Sequence, residues 1–254
     1  MAFEADSDLI ACAQIVERGD PDRFAATMAA PVAMRRILFP IYAFNLEIAR
    51  APWMSNEPLI AEMRLQWWHD VLEEIASGGP VRRHEVATPL AQVLDPDGAC
   101  LLMGCVAARR REAQRLPMAS ADDLAEYVAE TGGTLMWATA RALGCTDEVR
   151  ARDRGAAAGL ANYLLGVPMF LARGINPLPE MTTAQFSDLV TSHLDRLKRR
   201  GARPNLPQRI AELAAWRAKA ILSRALRDPA AIPEGRLAEP EALRRLTLLR
   251  ARLF

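Results

Sequence analysis

The side chains able to do chemistry in this chain are few and scattered. His69, His84 and His193 have no second histidine four residues on and no Cys or Asp array around them. A zinc site needs three or four such donors close together, so none is expected. Cys12, Cys100, Cys105 and Cys145 form no C-x-x-C pair, and their scatter predicts small buried side chains rather than disulfides or metal ligands. No G-x-S-x-G nucleophile elbow occurs. Thr131-Gly132-Gly133-Thr134 lies inside a helical pattern, where close helix packing explains glycine better than a phosphate loop does. The basic residues near the C-terminus are interleaved only with Trp216, too little aromatic surface for nucleic acid.

One segment stands apart: Met63-Arg64-Leu65-Gln66-Trp67-Trp68-His69-Asp70-Val71-Leu72. Adjacent helical residues point about 100° apart, so only one of the two tryptophans sits squarely on a core stripe. Trp67 is expected in the core, with Trp68 plugging the next helix interface. Upstream lies Phe39-Pro40-Ile41-Tyr42-Ala43-Phe44, and after the Gly78-Gly79-Pro80 turn comes His84-Glu85-Val86-Ala87-Thr88-Pro89-Leu90. Downstream, Asp123-Leu124-Ala125-Glu126-Tyr127 precedes the Thr131–Thr134 glycine pair. In this order and spacing, over about residues 23–225, the chain resembles the squalene/phytoene synthase family. That resemblance implies an all-α, isoprenoid-synthase-type helical bundle around a central cavity, built for joining two prenyl diphosphates head to head.

Such a reaction has a simple electrostatic demand. Each diphosphate leaving group is a dense anion, and Mg²⁺ neutralises the charge that develops on it. Mg²⁺ in turn wants carboxylate oxygens, which the family supplies as aspartates three or four residues apart on two facing helices. The resemblance places the first cluster on Ala49, Arg50 and Trp53 of this chain. The second falls within Gly159-Leu160-Ala161-Asn162-Tyr163-Leu164-Leu165-Gly166-Val167-Pro168-Met169-Phe170, where Gly166 and Phe170 take the two aspartate positions and Leu165 the arginine. Asn162 alone matches. Glu47 is one carboxylate on the first helix, and a structural or solvated role suits it better than a metal site. The reading is a synthase fold without its catalytic metal chemistry: no cofactor is expected, and no metal-ligating or catalytic residue is assigned.

Phe44-Asn45-Leu46-Glu47-Ile48-Ala49 followed by Met63–Trp68 is similar to a degenerate branch of the same family that contains a mitochondrial complex I assembly factor. This implies a non-catalytic assembly-type or lipid-associated factor, with a respiratory-complex subunit, an isoprenoid or lipid ligand, and the inner-membrane surface as partners. Its cavity would be lined from Phe44, Leu135, Met136, Asn162, Tyr163 and Phe170, positions that serve a plainly filled core equally well. The alternative is an active prenyl-diphosphate transferase with atypical motifs, using Mg²⁺ and binding phosphate through Arg50 and Arg173. A scaffold acting only through a protein interface is a third reading, without a surface signature of its own.

The elements that must position these residues are helical throughout. Glu57 to Ile75 places Leu59, Ile60, Met63, Trp67, Leu72 and Ile75 along one stripe, and Arg209 to Arg227 does the same with Ile210, Leu213, Trp216, Ala220, Ile221 and Leu226. A helix over 122–143 opens at Ser120 as N-cap, with Asp123 three residues on. Turns are expected at Ser77–Pro80, Asp95–Gly98, Gly174–Pro177 and Arg203-Pro204. Pro168 should kink or end its helix. No alternating β-branched run occurs. The expectation is one all-α domain over 1–254, with roughly eight to eleven helices.

With 254 residues, 51% hydrophobic and 25% charged, the chain can fill a large core, and its composition excludes a disordered or fibrous class. No apolar run reaches the roughly 18–20 residues of a membrane-spanning helix. The acidic start, Met1-Ala2-Phe3-Glu4-Ala5-Asp6-Ser7-Asp8, lacks the features of a secretory signal or transit peptide. A cytoplasmic protein is expected, peripheral on the cytoplasmic face of the inner membrane if it associates with lipid. Charge is uneven. Residues 191–254 hold 15 Lys+Arg against 6 Asp+Glu, a net of +9; since the whole chain carries +1, residues 1–190 carry −8. That basic stretch suits an anionic surface or an acidic partner, or else a solvated face paired with the acidic body.

Overall fold

The computed structural model describes residues 2–55, 57–199 and 203–253. Among these the chain is helical, with no strand, and its backbone contacts divide it into two compact units, Met1–Leu116 with Ala138–Thr146 and Pro117–Trp137 with Asp147–Phe254.

The first unit holds α1 (Ala2–Gly19), α2 (Pro21–Met28), α3 (Val32–Arg50), α4 (Pro58–Ala76), α5 (Ala87–Ala91) and α6 (Pro96–Ala113). Local chemistry sets their ends. Asp20 caps α2, accepting from the Arg23 backbone N–H at 2.9 Å with Pro21 at the first helical position. Asp95 caps α6 in the same way, accepting from Gly98 at 2.8 Å. The expected turn at Asp95–Gly98 is therefore a helix start, because Pro96 at the first helical position needs no N–H partner. Packing is built on α4 against α6 and on α1 against α3. On α4 the buried face is Ala61, Leu65, Trp68, Leu72 and Ile75, a 4-3-4-3 spacing. This corrects the expected stripe. Leu59 and Met63 are 70% and 64% exposed, and Trp68, not Trp67, enters the core.

The second unit holds α7 (Ala121–Val128), α9 (Glu148–Leu171), α10 (Thr183–Lys198), α11 (Leu206–Glu212), α12 (Ala218–Arg227) and α13 (Glu241–Leu253); α8 (Thr134–Ala142) begins in it and finishes in the first unit. Thirteen α-helices among the described residues exceed the expected eight to eleven, because several stretches are subdivided. The Arg209–Arg227 stretch is one case: it breaks after Glu212 into a short 3-10 turn before α12 starts. The helix opened by Ser120 contains a π-helical turn, Ala129–Gly133. This turn runs close against the α9 backbone. A Cβ on Gly132 would lie 2.6 Å from the Gly155 carbonyl oxygen and 2.9 Å from the Gly159 Cα. The glycines serve close packing, as the sequence suggests. Pro168 does not end α9 at once; the helix runs three residues further, to Leu171.

Candidate functional site

The residues that the family resemblance puts at the chemical centre are placed as follows. On α3, Tyr42 and Phe44 are buried, with the Phe44 ring edge-on to Trp68 at 5.3 Å. The Tyr42 hydroxyl is hydrogen-bonded to Thr139, and burial pushes its pKa up to about 12. This phenol stays protonated and works as a packed polar anchor. Ala49 is half-buried. Arg50 is exposed at the end of α3, and its guanidinium lies against Gly19, the last residue of α1, where helix carbonyls favour a cation. Trp53 lies under the Arg115 guanidinium, 4.3 Å from the ring centroid.

In the second unit, Leu135 and Met136 are buried at the start of α8, Met136 over Gly155 of α9. Tyr163 donates its hydroxyl to the Pro177 carbonyl at 2.6 Å and meets Tyr127 edge-on at 5.9 Å. That pair ties α9 to both α7 and the loop after it. Asn162 and Arg173 are exposed, and Gly166 and Phe170 are half-buried. The conspicuous charge cluster in this unit involves none of them. Glu212, with a nearly buried side chain, accepts from Arg150 at 3.0 Å and from Gln208 at 2.8 Å, and pairs with Arg154 at 2.9 Å. Burial lowers the Arg154 pKa, opposed by the carboxylate beside it.

Within the first unit, the feature that sequence reasoning missed is a cavity of about 380 Å³ lined by Glu47, Ala51, Arg64, Trp67, Trp68 and His84. Glu47 lies about 200° around α3 from Ala49 but only about 60° from Arg50, so the cavity borders one of the positions assigned to the metal aspartates. Trp67 and Trp68 meet edge-on at 4.8 Å, and His84 sits 5.0 Å and 5.5 Å from the two rings. The Val86 N–H donates to His84 Nδ1 at 3.1 Å, which leaves the proton of neutral His84 on Nε2. Arg64 touches the Met54 sulfur at 3.6 Å. Among the described residues the Glu47 carboxylate has no hydrogen-bond or ion-pair partner. The only available signal in the sequence was the double tryptophan beside an unspent carboxylate.

The squalene/phytoene synthase family profile matches residues 16–251. The chain belongs to the squalene/phytoene synthase family. Among solved structures, a dehydrosqualene synthase superposes with a TM-score of 0.75 at 15% identity, covering 98% of this chain and 97% of that one. The squalene synthase HpnC from Alicyclobacillus acidocaldarius gives 0.68 at 17% identity, covering 90% and 96%. These confirm the isoprenoid-synthase fold. Curated relatives carry a different description. A homologue of NADH dehydrogenase (ubiquinone) complex I assembly factor 6 from Drosophila melanogaster is 28% identical over 167 residues, 62% of this chain and 50% of its own length. The Homo sapiens assembly factor 6 is 25% identical over 162 residues, covering 62% and 48%. The chain thus spans about half the length of the curated relatives it matches. No helix among the described residues is long and apolar enough to cross a membrane.

Proposed function

We propose that this family member is non-catalytic and acts as a respiratory complex I assembly-type or lipid-associated factor. One observation carries the reading. The positions assigned to the metal-binding aspartates hold Ala49 and Arg50 on α3, Trp53 in the 3-10 turn Ala51–Trp53 that follows it, and Gly166 and Phe170 on α9. A guanidinium among them repels Mg²⁺, and no carboxylate remains at these positions to hold the ion against a diphosphate. The description of the curated relatives supports the assembly role. A cytoplasmic protein peripheral to the inner membrane, meeting a respiratory-complex subunit and an isoprenoid or lipid, completes the proposal. The lipid-contact residues proposed are Phe44 and Arg50 in the first unit and, in the second, Leu135, Met136, Asn162, Tyr163, Phe170 and Arg173.

The test has two arms. Purified protein is titrated with farnesyl or geranylgeranyl diphosphate with and without Mg²⁺, and the mixture is extracted for coupled product. No product is expected. Mg²⁺-dependent binding with a coupled prenyl product overturns the reading in favour of a transferase with unorthodox motifs. In the source cells, deletion of the gene is expected to lower the amount of assembled complex I on native gels. Unchanged assembly removes the respiratory part.

A further inference from the structure

The Glu47 cavity carries two opposite charges and an aromatic wall, and that combination defines a ligand. Glu47 projects a carboxylate without a partner beside the edge-to-face pair Trp67 and Trp68. Rings of this kind attract cations across their faces, and quaternary or primary ammonium groups are held where a carboxylate supplements them. The Trp67 ring already accepts one cation: the Arg82 guanidinium stands 5.5 Å from its centroid, fixed there by Glu74 at 2.9 Å. On the same cavity Arg64 is exposed, and its guanidinium meets only the weakly accepting sulfur of Met54 among the described residues, so its donors remain available for an anion. A ligand satisfying both groups carries an ammonium and a phosphate a few bonds apart.

The rim adds the rest of the molecule. Met54, which touches Arg64, and Met63 are 58% and 64% exposed, and Leu59 is 70% exposed, one turn before Met63, which itself lies one turn before the cavity residue Trp67 on α4. These side chains form an apolar margin next to a charged pocket, a surface that a soluble headgroup ester does not use and an alkyl chain does. We propose that the Glu47–Arg64 cavity binds the zwitterionic ammonium–phosphate headgroup of a lipid, with the alkyl chain lying along Met54, Leu59 and Met63. Glu47 and the tryptophans hold the ammonium, and Arg64 holds the phosphate. This deepens the lipid-associated half of the reading above, adding Glu47, Arg64 and the two tryptophans beside Phe44 and Arg50, which that reading already assigns.

The full chain is titrated calorimetrically with dodecylphosphocholine below its micelle threshold, with glycerophosphocholine, and with anionic lysophosphatidylglycerol. Dodecylphosphocholine is expected to saturate one site, bind more tightly than glycerophosphocholine, and weaken about tenfold in Glu47→Gln and in Arg64→Ala, the loss typical of one charged contact. Both variants alter half-buried or exposed positions, and an unchanged melting temperature establishes that they fold. Equal affinity for glycerophosphocholine overturns the lipid assignment. Equal affinity for lysophosphatidylglycerol at about 0.15 M salt, where attraction to a basic surface is screened, or unchanged affinity in both variants, overturns the site. Glu47-dependent binding by a chain that also makes a coupled prenyl product sinks the non-catalytic reading and leaves this one standing.

Discussion

At the scale of single residues, burial decides which side chains are chemically available. Cys12 is buried beside Asp8 and Glu85, and desolvation, then those carboxylates, push its thiol up to about 12. Cys105 and Cys145 are buried too, whereas Cys100 is exposed, against the expectation for all four. Under native conditions at pH 8, iodoacetamide is expected to modify Cys100 first and leave Cys12 intact, read by peptide mass spectrometry. Early modification of Cys12 means that α1 opens locally. His193 is buried, with Nδ1 on the Leu189 carbonyl at 2.8 Å, and burial lowers its pKa below 6.5; Arg196 adds to this and Asp153 opposes it. A histidine kept neutral by folding stabilises the native state fully above the unfolded pKa and loses that contribution as pH falls below it. Denaturation midpoints are expected to drop from pH 7 to pH 5.5 more steeply than in His193→Leu, by at most about 1.4 kcal/mol per pH unit for one proton. Parallel profiles exclude the effect.

At the scale of elements, α4 separates a pattern from a packing. Leu59 and Leu65 look alike in the sequence, yet one is 70% exposed and the other fully buried. Leu65→Ala is expected to cost about 2–5 kcal/mol and Leu59→Ala to stay within about 0.5, measured by urea unfolding. Equal costs reject the register described for α4. The same contrast applies to glycine. Gly132→Ala forces a methyl into the α9 backbone, with an expected loss of about 1–3 kcal/mol or more. Gly104, exposed within α6, has nothing within 4 Å of its Cβ position, so Gly104→Ala should gain about 0.5–1 kcal/mol. A gain at Gly132 shows that the π-turn relaxes away from α9.

At the scale of the whole molecule, charge is the quantity that acts at a distance. Much of the basic stretch is paired locally: Arg196 and Arg199 face Asp153, Arg236 faces Asp228, and Arg217 faces the buried Glu239. That pairing bears out the solvated-face expectation in part. Helix α13 keeps Leu243, Leu246 and Leu249 44–56% exposed among Arg244, Arg245, Arg250 and Arg252. An amphipathic, basic surface of this kind is expected to sediment with anionic vesicles at about 0.01 M salt and to release by about 0.15 M, as the screening length shrinks from ~30 to ~8 Å. Headgroup binding at Glu47, being local, should persist across that range. Vesicle association that ignores salt assigns it to something other than this charge.

What the sequence determined by itself is the class of fold and the family. Helical periodicity, the Ser120 cap, and the ordered set from Tyr42-Ala43-Phe44 to Thr131–Thr134 are local or short-range, and local signals survive without knowledge of partners. That Ala49, Arg50, Trp53, Gly166 and Phe170 carry no carboxylate is also read directly from the sequence, while their assignment as metal positions is what the family resemblance implies. Tertiary structure alone decided which side of α4 is buried, because three exposed apolar residues at its start, Leu59, Ile60 and Met63, imitate a core stripe until α6 and α3 are in place. It alone decided that Trp68 rather than Trp67 packs on Phe44. The Glu47 cavity belongs to the same class of fact: α3, α4 and the loop carrying His84 converge across tens of residues, and no spacing along the chain encodes that meeting.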